Sequence, residues 1–364
     1  MERLRHNIAA VRALAGQRPL ICMAVKADAY GHGAVKIAEE GLRCGASFLG
    51  VAAVSEGAAL RAAGISAPIL FFSTAGETEL DELVSCNLSP FVSDEEYAAA
   101  LNSRAEKAGV KLSVHLKIDT GMGRLGCRPE DAPGLARRIA SLKSLHYEGT
   151  ATHFAASDSA GEAAVKSVKK QLALFNEALV DIKKAGFDTG LVHAANSGAV
   201  LLYKDAHFDM VRPGILLYGY SPSGELAGLC GGTSGVKPVM EFVSGLSFIK
   251  TVKKGTPISY NGTWTAPEDR VIGTIPAGYG DGLPRILTNN YQVLIRGKLF
   301  PLVGNICMDQ CMVDLGDGSG VERWDAVTIF GGAGLSAADA AAKAGSIPYE
   351  ITCNVNKRVP RVYV

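Results

Sequence analysis

Residues 19–33 read PLICMAVKADAYGHG, an apolar run that ends in Lys26 and is followed by a polar turn with two glycines. An apolar run without alternation is typical of a strand buried on both faces, as strands of parallel sheets are. A lysine that ends such a strand is more often a solvated charge than a functional group. The alternative is a reactive amine held at a site, and the rest of the sequence bears on that choice.

Seven further runs of this kind occur in the first 220 residues, and alanine-rich segments with helical periodicity separate them. Strands that alternate with amphipathic helices predict a parallel sheet, and eight such units fit an α/β fold of the (β/α)8 TIM barrel type. A doubly wound open sheet is the alternative, which six or seven units would have favoured. The runs are PLICMAVK (19–26), FLGVAAV (48–54), PILFFS (68–73), LSPFVS (88–93), SVHLKIDT (113–120), EGTATHF (148–154), LVHAAN (191–196) and FDMVRPG (208–214).

The pattern changes after Tyr220. The stretch SPSGELAGLCGGTSG (221–235) is rich in glycine and serine and indicates a linker or long loop. Short β-rich runs then follow, separated by Gly, Asn and Asp, with a short helical segment, LSAADAAAKAG, near the end. The sequence therefore predicts a barrel domain over 1–225 and a C-terminal mostly-β domain over 226–364. The β-rich runs are VMEFVSGLSFIKTV, RVIGTIPAG, YQVLIRG, KLFPLVG, CMVDLG and DAVTIFGG.

The composition narrows the class of protein. The 364 residues are 48% hydrophobic and carry a net charge of +1, so no overall field favours nucleic acid or an anionic membrane as a partner. The eight cysteines form no C-x-x-C pair, and no apolar stretch is long enough for a signal peptide or a membrane span. No H-x-x-x-H or Cys/His cluster indicates a metal site. We therefore expect a cytoplasmic protein with reduced cysteines and no metal.

Polar residues cluster where the predicted barrel strands end, which is where the active sites of barrels lie. Singly, each has an ordinary explanation: an Asn-Ser pair caps helices, a histidine packs at a rim, and an arginine closes a salt bridge. Together they place an amine, an imidazole, two arginines and a Ser/Gly loop set on one face. A phosphate-binding loop set opposite a lone lysine indicates pyridoxal phosphate. The residues are Lys26, Tyr30, Lys117, Asp119, Arg124, His153, Asn196, Ser197, Arg212, Gly214 and Ile215.

Nine motifs carry a family resemblance that spans nearly the whole chain. In order, AVKADAYGHG, HLKIDTGMGRLG, THF, AANSGA, MVRPGILLYG, ISYNGTWTA, IPAGYGDGLPR, VGNICMDQCMVDLG and PYEITC resemble the bacterial alanine racemases. The resemblance implies a barrel that carries pyridoxal phosphate, a C-terminal β domain and a head-to-tail homodimer with shared active sites. It further implies interconversion of L-alanine and D-alanine by two bases, which supplies D-alanine for peptidoglycan.

The resemblance also implies roles for single residues. Lys26 resembles the lysine that holds the cofactor and acts as one base, and Tyr260 resembles the second base, which reaches the site from the other subunit. Arg212 resembles the arginine that faces the pyridine nitrogen, with His153 packed near it. Arg124 resembles the arginine that binds the substrate carboxylate. The remaining cofactor-binding set is Tyr30, Asn196, Ser197, Gly214, Ile215 and Tyr349.

Other matched positions surround the substrate. Met308 resembles a backbone contact to the substrate, with Asp309 beside it. Lys117 stands at the position that is carbamylated in some members, where it steadies Arg124. The residues at positions that line the entrance are Asp158, Tyr279, Arg285, Asn305 and Ile347.

The sequence departs from the family pattern in three places. The short W-x-E-I-D-L strand that usually opens the family is lacking, so the β domain misses an edge strand or the start is misassigned. Asn305 stands where an arginine is usual, and Leu283 stands where an aromatic residue is usual. We expect the last two changes to affect the entrance and the substrate preference while leaving the two bases in place.

Two other functions stay open on the sequence alone. One is a racemase of serine or of a broader set of amino acids, since the pocket walls set the size selection. The other is a non-catalytic barrel that only carries pyridoxal phosphate, although such proteins lack a β domain with a counterpart of Tyr260. A decarboxylase on the same architecture is disfavoured by SYNGTWTA and ICMDQ.

Overall fold

The computed structural model describes residues 1–230, 235–318, 320–332 and 334–364. The chain forms two compact units, Met1–Ala29 with Gly33–Lys237, and Tyr30–His32 with Pro238–Val364. The last part of the predicted linker, residues 231–234, lies outside the described residues. The domain boundary placed after residue 225 by the sequence stays a prediction.

The first unit is built on a parallel sheet whose eight described strands follow the order β7-β6-β5-β4-β3-β2-β1-β8. The two end strands also meet, because Asp209 N–H donates to Val192 O at 3.0 Å and Arg212 N–H donates to Ala195 O at 2.8 Å. The predicted (β/α)8 barrel is therefore confirmed. The strands are β1 Leu20–Ala24, β2 Phe48–Val51, β3 Ile69–Phe71, β4 Leu88–Val92, β5 Leu112–Lys117, β6 Leu145–Ala151, β7 Leu191–His193 and β8 Met210–Val211.

Helices separate these strands, as the periodicity predicts. The helix over 95–108 shows the local logic: the Asp94 side chain accepts from Tyr97 N–H at its start, and Gly109 ends it with a φ of 68°. Its apolar face buries Tyr97 and Leu101. The helices are α1 Glu2–Ala15, α2 Ala34–Arg43, α3 Val54–Ala62, α4 Leu80–Ser85, α5 Glu95–Ala108, α6 Ala132–Ser141, α7 Glu162–Lys184 and α8 Ser197–Leu202.

Side chains from six strands pack together in one buried cluster, as is usual for the interior of a barrel. Its members are apolar and at most 6% exposed. This packing holds the strand ends in fixed positions, which any site built on them requires. The cluster consists of Cys22, Phe48, Leu70, Phe91, Ala151 and Met210.

The segment after β1 is unusual. Ala27, Asp28, Ala29 and Tyr30 all have a positive φ, between 50° and 55°. A left-handed backbone costs an L-residue about 1–2 kcal/mol, so four in succession persist only where other contacts fix them. Two such contacts are given by Asp28, which accepts Gly33 N–H with its carbonyl at 2.9 Å and Ala34 N–H with its carboxylate at 2.7 Å. Tyr30 therefore lies in this turn and not at the start of a helix.

The second unit is the predicted mostly-β domain, and its described strands pair antiparallel. Its described strands form a three-stranded sheet (β10-β13-β16), a two-stranded sheet (β11-β12) and a four-stranded sheet (β15-β14-β17-β9). The sequence missed the short hairpin β11-β12 and the helix α10 within PYEITC. The strands are β9 Phe242–Gly245, β10 Phe248–Val252, β11 Pro257–Ile258, β12 Trp264–Thr265, β13 Arg270–Ile275, β14 Gln292–Ile295, β15 Lys298–Pro301, β16 Cys311–Asp314 and β17 Ala326–Phe330; the helices are α9 Ala337–Ala344 and α10 Pro348–Cys353.

The described residues show no membrane-spanning helix, no metal-binding cluster and no disulfide bond. In the part of the chain that the structure describes, no helix is both long enough and apolar enough to span a lipid bilayer. No group of three His, Cys, Asp or Glu side chains among the described residues is arranged to hold a metal ion. The cysteines whose side chains are described, seven in number, are all unbridged.

Candidate functional site at the carboxyl ends of the barrel strands

Arg212, directly after β8, lies at the centre of the strand ends and is only 6% exposed. Its Nη2 donates to Thr152 O at 2.7 Å and to Ala194 O at 3.1 Å, the carbonyls that follow β6 and β7. Burial lowers its pKa to about 10, so the guanidinium stays charged at neutral pH. In the part of the chain that the structure describes, its hydrogen bonds involve Nη1 and Nη2, and none involves Nε.

A chain of buried side chains runs from Arg212 into the barrel. Arg212 Nη1 lies 2.6 Å from Nδ1 of His193, whose Nε2 lies 2.9 Å from Nδ1 of His115. Nε2 of His115 in turn lies 2.9 Å from Oε2 of Glu148. An arginine only donates and a carboxylate only accepts, so each histidine must accept at Nδ1 and donate from Nε2. The chain therefore has one direction, from Arg212 to Glu148.

The pKa shifts agree with that direction. Burial and the neighbouring Arg212 hold the pKa of His193 well below its usual range, and burial lowers that of His115. Both rings are therefore neutral at pH 7. Burial acts to raise the pKa of Glu148, but its hydrogen bond from His115 and the smaller effects of neighbouring groups together outweigh burial, and the pKa is lowered. Glu148 is thus a carboxylate that faces Arg212 through two neutral imidazoles.

His153, after β6, sits among cations. Its Nδ1 lies 3.4 Å from Arg212 Nη2. Burial, followed by repulsion from Arg212, Lys117, Arg124 and Lys26, holds its pKa well below the usual value. The structure thus brings together five of the residues that the strand ends singled out. Three cationic side chains and the partly charged Lys117, around one neutral imidazole, favour an anionic ligand.

The backbone before Lys26 is fixed on both sides. Ala24 N–H donates to Pro213 O at 3.2 Å, next to β8, and Val25 N–H donates to Gly50 O at 2.8 Å in β2. The lysine itself is half-buried. Its position at the end of a barrel strand, predicted from the apolar run, follows from these contacts.

Lys117, at the end of β5, is only 4% exposed, and its Nζ donates to Ile118 O at 3.2 Å. Burial, then repulsion from Arg212, lowers its pKa to about 7. At neutral pH the Lys117 amine is therefore neutral in about half of the molecules, whereas an ordinary lysine with a pKa of about 10.4 is almost wholly charged.

The loop that follows Lys117 carries the exposed Arg124. Asp119 holds this loop in place. The Asp119 carboxylate accepts the N–H groups of Gly121 at 2.9 Å, Met122 at 2.8 Å and Gly123 at 2.9 Å. Burial acts to raise the pKa of Asp119, but these hydrogen bonds outweigh it and the pKa is lowered. The carboxylate therefore shapes the loop that presents Arg124.

The loops after β7 and β8 are joined through Ser197. Its Oγ accepts Gly214 N–H at 2.9 Å and Leu216 N–H at 3.4 Å. Asn196 caps α8, because its Oδ1 accepts Ala199 N–H at 3.0 Å, and it also accepts the Ser157 hydroxyl at 2.7 Å. The cap anticipated from the Asn-Ser pair is thus present. Ile215 follows in a buried turn, Ile215–Tyr218.

Tyr30 lies in the second unit, where its ring centroid is 5.9 Å from that of Tyr349. Burial, with Tyr349 close by, raises its pKa, so the phenol stays neutral. The neighbouring Gly31 has a φ of 82°, and a Cβ there would overlap the carbonyl oxygen of Thr352. Arg361 donates to Gly31 O from Nε at 3.0 Å and from Nη2 at 2.8 Å.

Tyr260 lies at the tip of the β11-β12 hairpin and is 72% exposed. The residues on either side, Ser259 and Asn261, have φ values of 65° and 62°. The Asn305 side chain donates from Nδ2 to Tyr260 O at 2.7 Å. Asn305 and Leu283, the two residues that differ in type from those usual in the family, are both buried.

The loop with Met308 and Asp309 is tied down by Arg358. Its Nη2 donates to Asp309 Oδ1 at 2.8 Å, and its Nε donates to Asp281 Oδ1 at 2.7 Å. Met308 O accepts Gly280 N–H at 2.8 Å, and the Met308 side chain is exposed. The other entrance residues that the sequence singled out have exposed side chains: Asp158, Tyr279, Arg285 and Ile347.

Sequence reasoning missed His115, His193 and Glu148, which support the barrel site, and Arg358, which holds the loop with Met308 and Asp309 in the second unit. Two of them had a signal, because a histidine inside an apolar strand, as in SVHLK and LVHAA, must find a buried partner. Glu148 and Arg358 look like ordinary surface charges in the sequence. Only the fold brings them to their partners.

Comparison with known proteins gives one family. The model of "Alanine racemase, N-terminal domain" matches residues 1–222, and that of "Alanine racemase, C-terminal domain" matches residues 239–363. A relative from Treponema denticola, named alanine racemase, is 47% identical over 370 residues, which cover 100% of this chain and 96% of the relative.

Two solved structures are similar over nearly their whole length. Alanine racemase from Streptomyces coelicolor A3(2) is 38% identical with a TM-score of 0.93, covering 100% of this chain and 96% of that one. Alanine racemase from Bartonella henselae with covalently bound pyridoxal phosphate is 27% identical with a TM-score of 0.87, covering 100% and 97%. Both halves of the chain match in order and at full length, and the chain therefore belongs to the alanine racemase family.

Proposed function

We propose that this protein is an alanine racemase that uses pyridoxal phosphate and two bases, Lys26 and Tyr260, to interconvert L-alanine and D-alanine. The observation that carries the proposal is the buried, charged Arg212 among the barrel strand ends, with Lys26 and His153 beside it. A racemase must remove the α-proton from one face of the substrate and return a proton to the other, which two bases on opposite faces achieve.

The residues fit this cofactor. Arg212 has a charged N–H that no described hydrogen bond uses, as a partner of the pyridine nitrogen requires. Ser197 and the backbone at Gly214 and Ile215, with the neutral phenol of Tyr30 and the side chain of Tyr349, would hold the phosphate, and Asn196 would keep that loop in shape. Lys26 would bind the cofactor covalently.

When bound, pyridoxal phosphate would withdraw electrons from the Cα–H bond of the attached amino acid. Lys26 would accept the α-proton of D-alanine, and Tyr260 that of L-alanine. Arg212 donates only, so it leaves the pyridine nitrogen unprotonated and the electron withdrawal moderate. Rapid return of a proton is then favoured over transamination, which suits a racemase.

The substrate would be oriented by its carboxylate. Arg124 would bind this group, with the backbone of Met308 and the side chain of Asp309 close by. A carbamate on Lys117 would add a negative charge that steadies Arg124. Asp158, Tyr279, Arg285, Asn305 and Ile347 would line the entrance.

The exposure of Tyr260 supports a shared site. We assign the barrel to 1–225 and the β domain to 226–364, and Tyr260 of the partner subunit would complete the site of each barrel in a head-to-tail homodimer. A cytoplasmic enzyme of this kind supplies D-alanine for peptidoglycan. This role is tested by complementation: a bacterial strain that requires added D-alanine should grow without it when it expresses this gene.

The decisive experiment joins cofactor mapping with product analysis. Borohydride reduction of the purified, cofactor-loaded protein is expected to fix the cofactor on Lys26, as read by peptide mass. Incubation with single enantiomers of alanine and serine, followed by chiral chromatography, is expected to show racemisation of alanine at a much higher kcat/KM than serine. Equal rates on both amino acids indicate a broader racemase, and no racemisation of either contradicts the proposal.

A further inference from the structure

Two hydrogen bonds join Asn305 to the hairpin that carries Tyr260. Asn305 Nδ2 donates to Tyr260 O at 2.7 Å, and Ser259 Oγ donates to Asn305 O at 2.6 Å. We name this pair of bonds the Asn305 clamp. Asn305 is 7% exposed, so a solvent molecule does not readily replace its amide as the donor.

The hairpin needs such a clamp. Each of its strands has two residues, paired at Pro257–Thr265 and Ile258–Trp264, and the further backbone bonds from Gly255 N–H to Ala266 O at 2.8 Å and from Ala266 N–H to Thr256 O at 3.0 Å lie at the end away from Tyr260. Ser259 and Asn261 hold φ values of 65° and 62°, which cost about 1–2 kcal/mol each for residues other than glycine. Strained backbone relaxes unless its surroundings fix it, and a two-stranded ribbon is only marginally stable by itself.

We propose that Asn305 is a positioning residue for Tyr260: its amide fixes the Tyr260 carbonyl, and through it the direction in which the phenol projects. The inference rests on the proposed function of Tyr260 as a base. It gives Asn305, which stands where the family usually has an arginine, a task beyond lining the entrance. A base acts well only at hydrogen-bond distance from its proton, so a loosened hairpin slows the steps of Tyr260 alone.

This selectivity has a signature in D2O. D-alanine that loses its α-proton to Lys26 has two fates: Lys26 returns a deuteron and gives labelled D-alanine, or Tyr260 delivers one and gives L-alanine. If Tyr260 is poorly placed, the ratio of labelled D-alanine to L-alanine rises. Starting from L-alanine, the ratio of labelled L-alanine to D-alanine does not rise, because Lys26 is unaffected. General damage to the fold lowers both reactions without changing either ratio.

The test uses two substitutions at Asn305 in the cofactor-loaded enzyme. Asn305→Leu keeps the shape and removes the donor, and Asn305→Asp keeps the shape and an acceptor while removing the donor. Asn289→Asp is the matched control: Asn289 contacts the same hairpin, through Thr263 at 3.3 Å, and the acceptor that receives Gly304 N–H is kept. Tyr260→Phe is measured in parallel.

We expect both Asn305 variants to lower kcat about ten- to a hundredfold, since small misplacement of a reacting group costs up to about a hundredfold. The D-alanine ratio should rise severalfold in both variants and stay at the wild-type value in Asn289→Asp. Amide hydrogen exchange of residues 258–264, measured on the protein before cofactor is added, should speed up in Asn305→Leu more than in the control.

Unchanged ratios in both Asn305 variants, or ratios that rise equally from both enantiomers, would overturn the proposal. Tyr260→Phe separates a failure of the positioning role of Asn305 from a failure of the proposed role of Tyr260 as a base. If Tyr260→Phe loses racemisation while both Asn305 variants behave as wild type, only the positioning role is wrong. If Tyr260→Phe racemises normally, the two-base function is wrong and the role of Asn305 with it.

Discussion

Arg212 and His193 share a short hydrogen bond, 2.6 Å from Nη1 to Nδ1, between a cation and a neutral ring that are both buried. The arginine fixes the tautomer of His193, and His193 in turn fixes that of His115. The charge of Arg212 is thereby linked to the carboxylate of Glu148, two rings away. A cation buried in this way needs such compensation.

We expect His193→Phe to be costly. A phenyl ring fills the space but leaves an Arg212 N–H and His115 Nδ1 unpaired, and each unpaired buried group costs about 1–3 kcal/mol. Urea unfolding should show a loss of about 2–5 kcal/mol in the free energy of unfolding. His146→Phe, at an exposed position on β6, should stay within about 0.5 kcal/mol of wild type. If the two substitutions lower the free energy of unfolding equally, the hydrogen-bonded side chains from His193 to Glu148 do not compensate the buried charge of Arg212.

The buried neutral histidines predict sensitivity to acid. The pKa values of His115, His153 and His193 are all lowered in the folded state, so below about pH 6.5 the unfolded chain binds more protons than the folded one. The free energy of unfolding should therefore fall as the pH drops below about 6.5, by up to about 1.4 kcal/mol per pH unit for each histidine. His193→Phe removes one of these titrating groups, so the free energy of unfolding should fall less steeply with decreasing pH, by up to about 1.4 kcal/mol per pH unit. A slope that is unchanged in the variant contradicts the assignment.

Lys117 should react with carbon dioxide near neutral pH. Only a neutral amine forms a carbamate, and Lys117, with its pKa lowered to about 7, is largely neutral at pH 8. Carbon-13 NMR of protein equilibrated with labelled bicarbonate at pH 8 should show a carbamate signal that fades as the pH falls below about 7. Lys117→Met is the control that separates this signal from that of the α-amino group. If the signal persists in Lys117→Met, the carbamate does not form on Lys117.

Asp119 should matter for substrate affinity. Asp119→Ala removes the acceptor of three backbone N–H groups and frees the loop that carries Arg124. We expect the KM for alanine to rise about tenfold with a smaller change in kcat, because the carboxylate-binding arginine is no longer held in place. Asp131→Ala, which removes an exposed partner of Arg128 nearby, is the control and should leave KM unchanged.

Gly31→Ala should be far more damaging than Gly109→Ala. Both glycines have a positive φ, 82° and 68°, but Gly109 faces open space while a Cβ on Gly31 overlaps Thr352 O. Gly109→Ala should cost about 1–2 kcal/mol from backbone strain alone. Gly31→Ala adds a clash with backbone and should cost more than about 3 kcal/mol, or displace the turn with Tyr30. Similar unfolding midpoints for the two variants contradict this reading of the turn.

Much of the barrel was predictable because its strands are buried on both faces and appear as continuous apolar runs. Lys26, Lys117, His153 and Arg212 were then singled out as candidates because a parallel barrel puts the residues at the end of each strand on one edge. The predicted cations do meet around His153, as its lowered pKa records.

What the sequence did not predict depends on long-range pairing or on unusual backbone. The left-handed turn of Ala27–Tyr30 contains two alanines that favour right-handed helix, so tertiary contacts override local preference there. Strands β11 and β12 are too short to give a pattern. Glu148 and Arg358 are charges whose partners are distant in sequence, and a single sequence holds no record of such pairs.

The turn that follows Lys26 is closed by the other end of the chain. Arg361 donates to Gly31 O, and Tyr363 donates to His32 O at 3.1 Å, across more than 300 residues. Because a ribosome releases the N-terminus first, these carbonyls must wait until Arg361 and Tyr363 have emerged. The strand that bears Lys26 is therefore available early in synthesis, whereas the turn next to it is closed only after more than 300 further residues have been made, and substitutions at Arg361 or Tyr363 would leave it open.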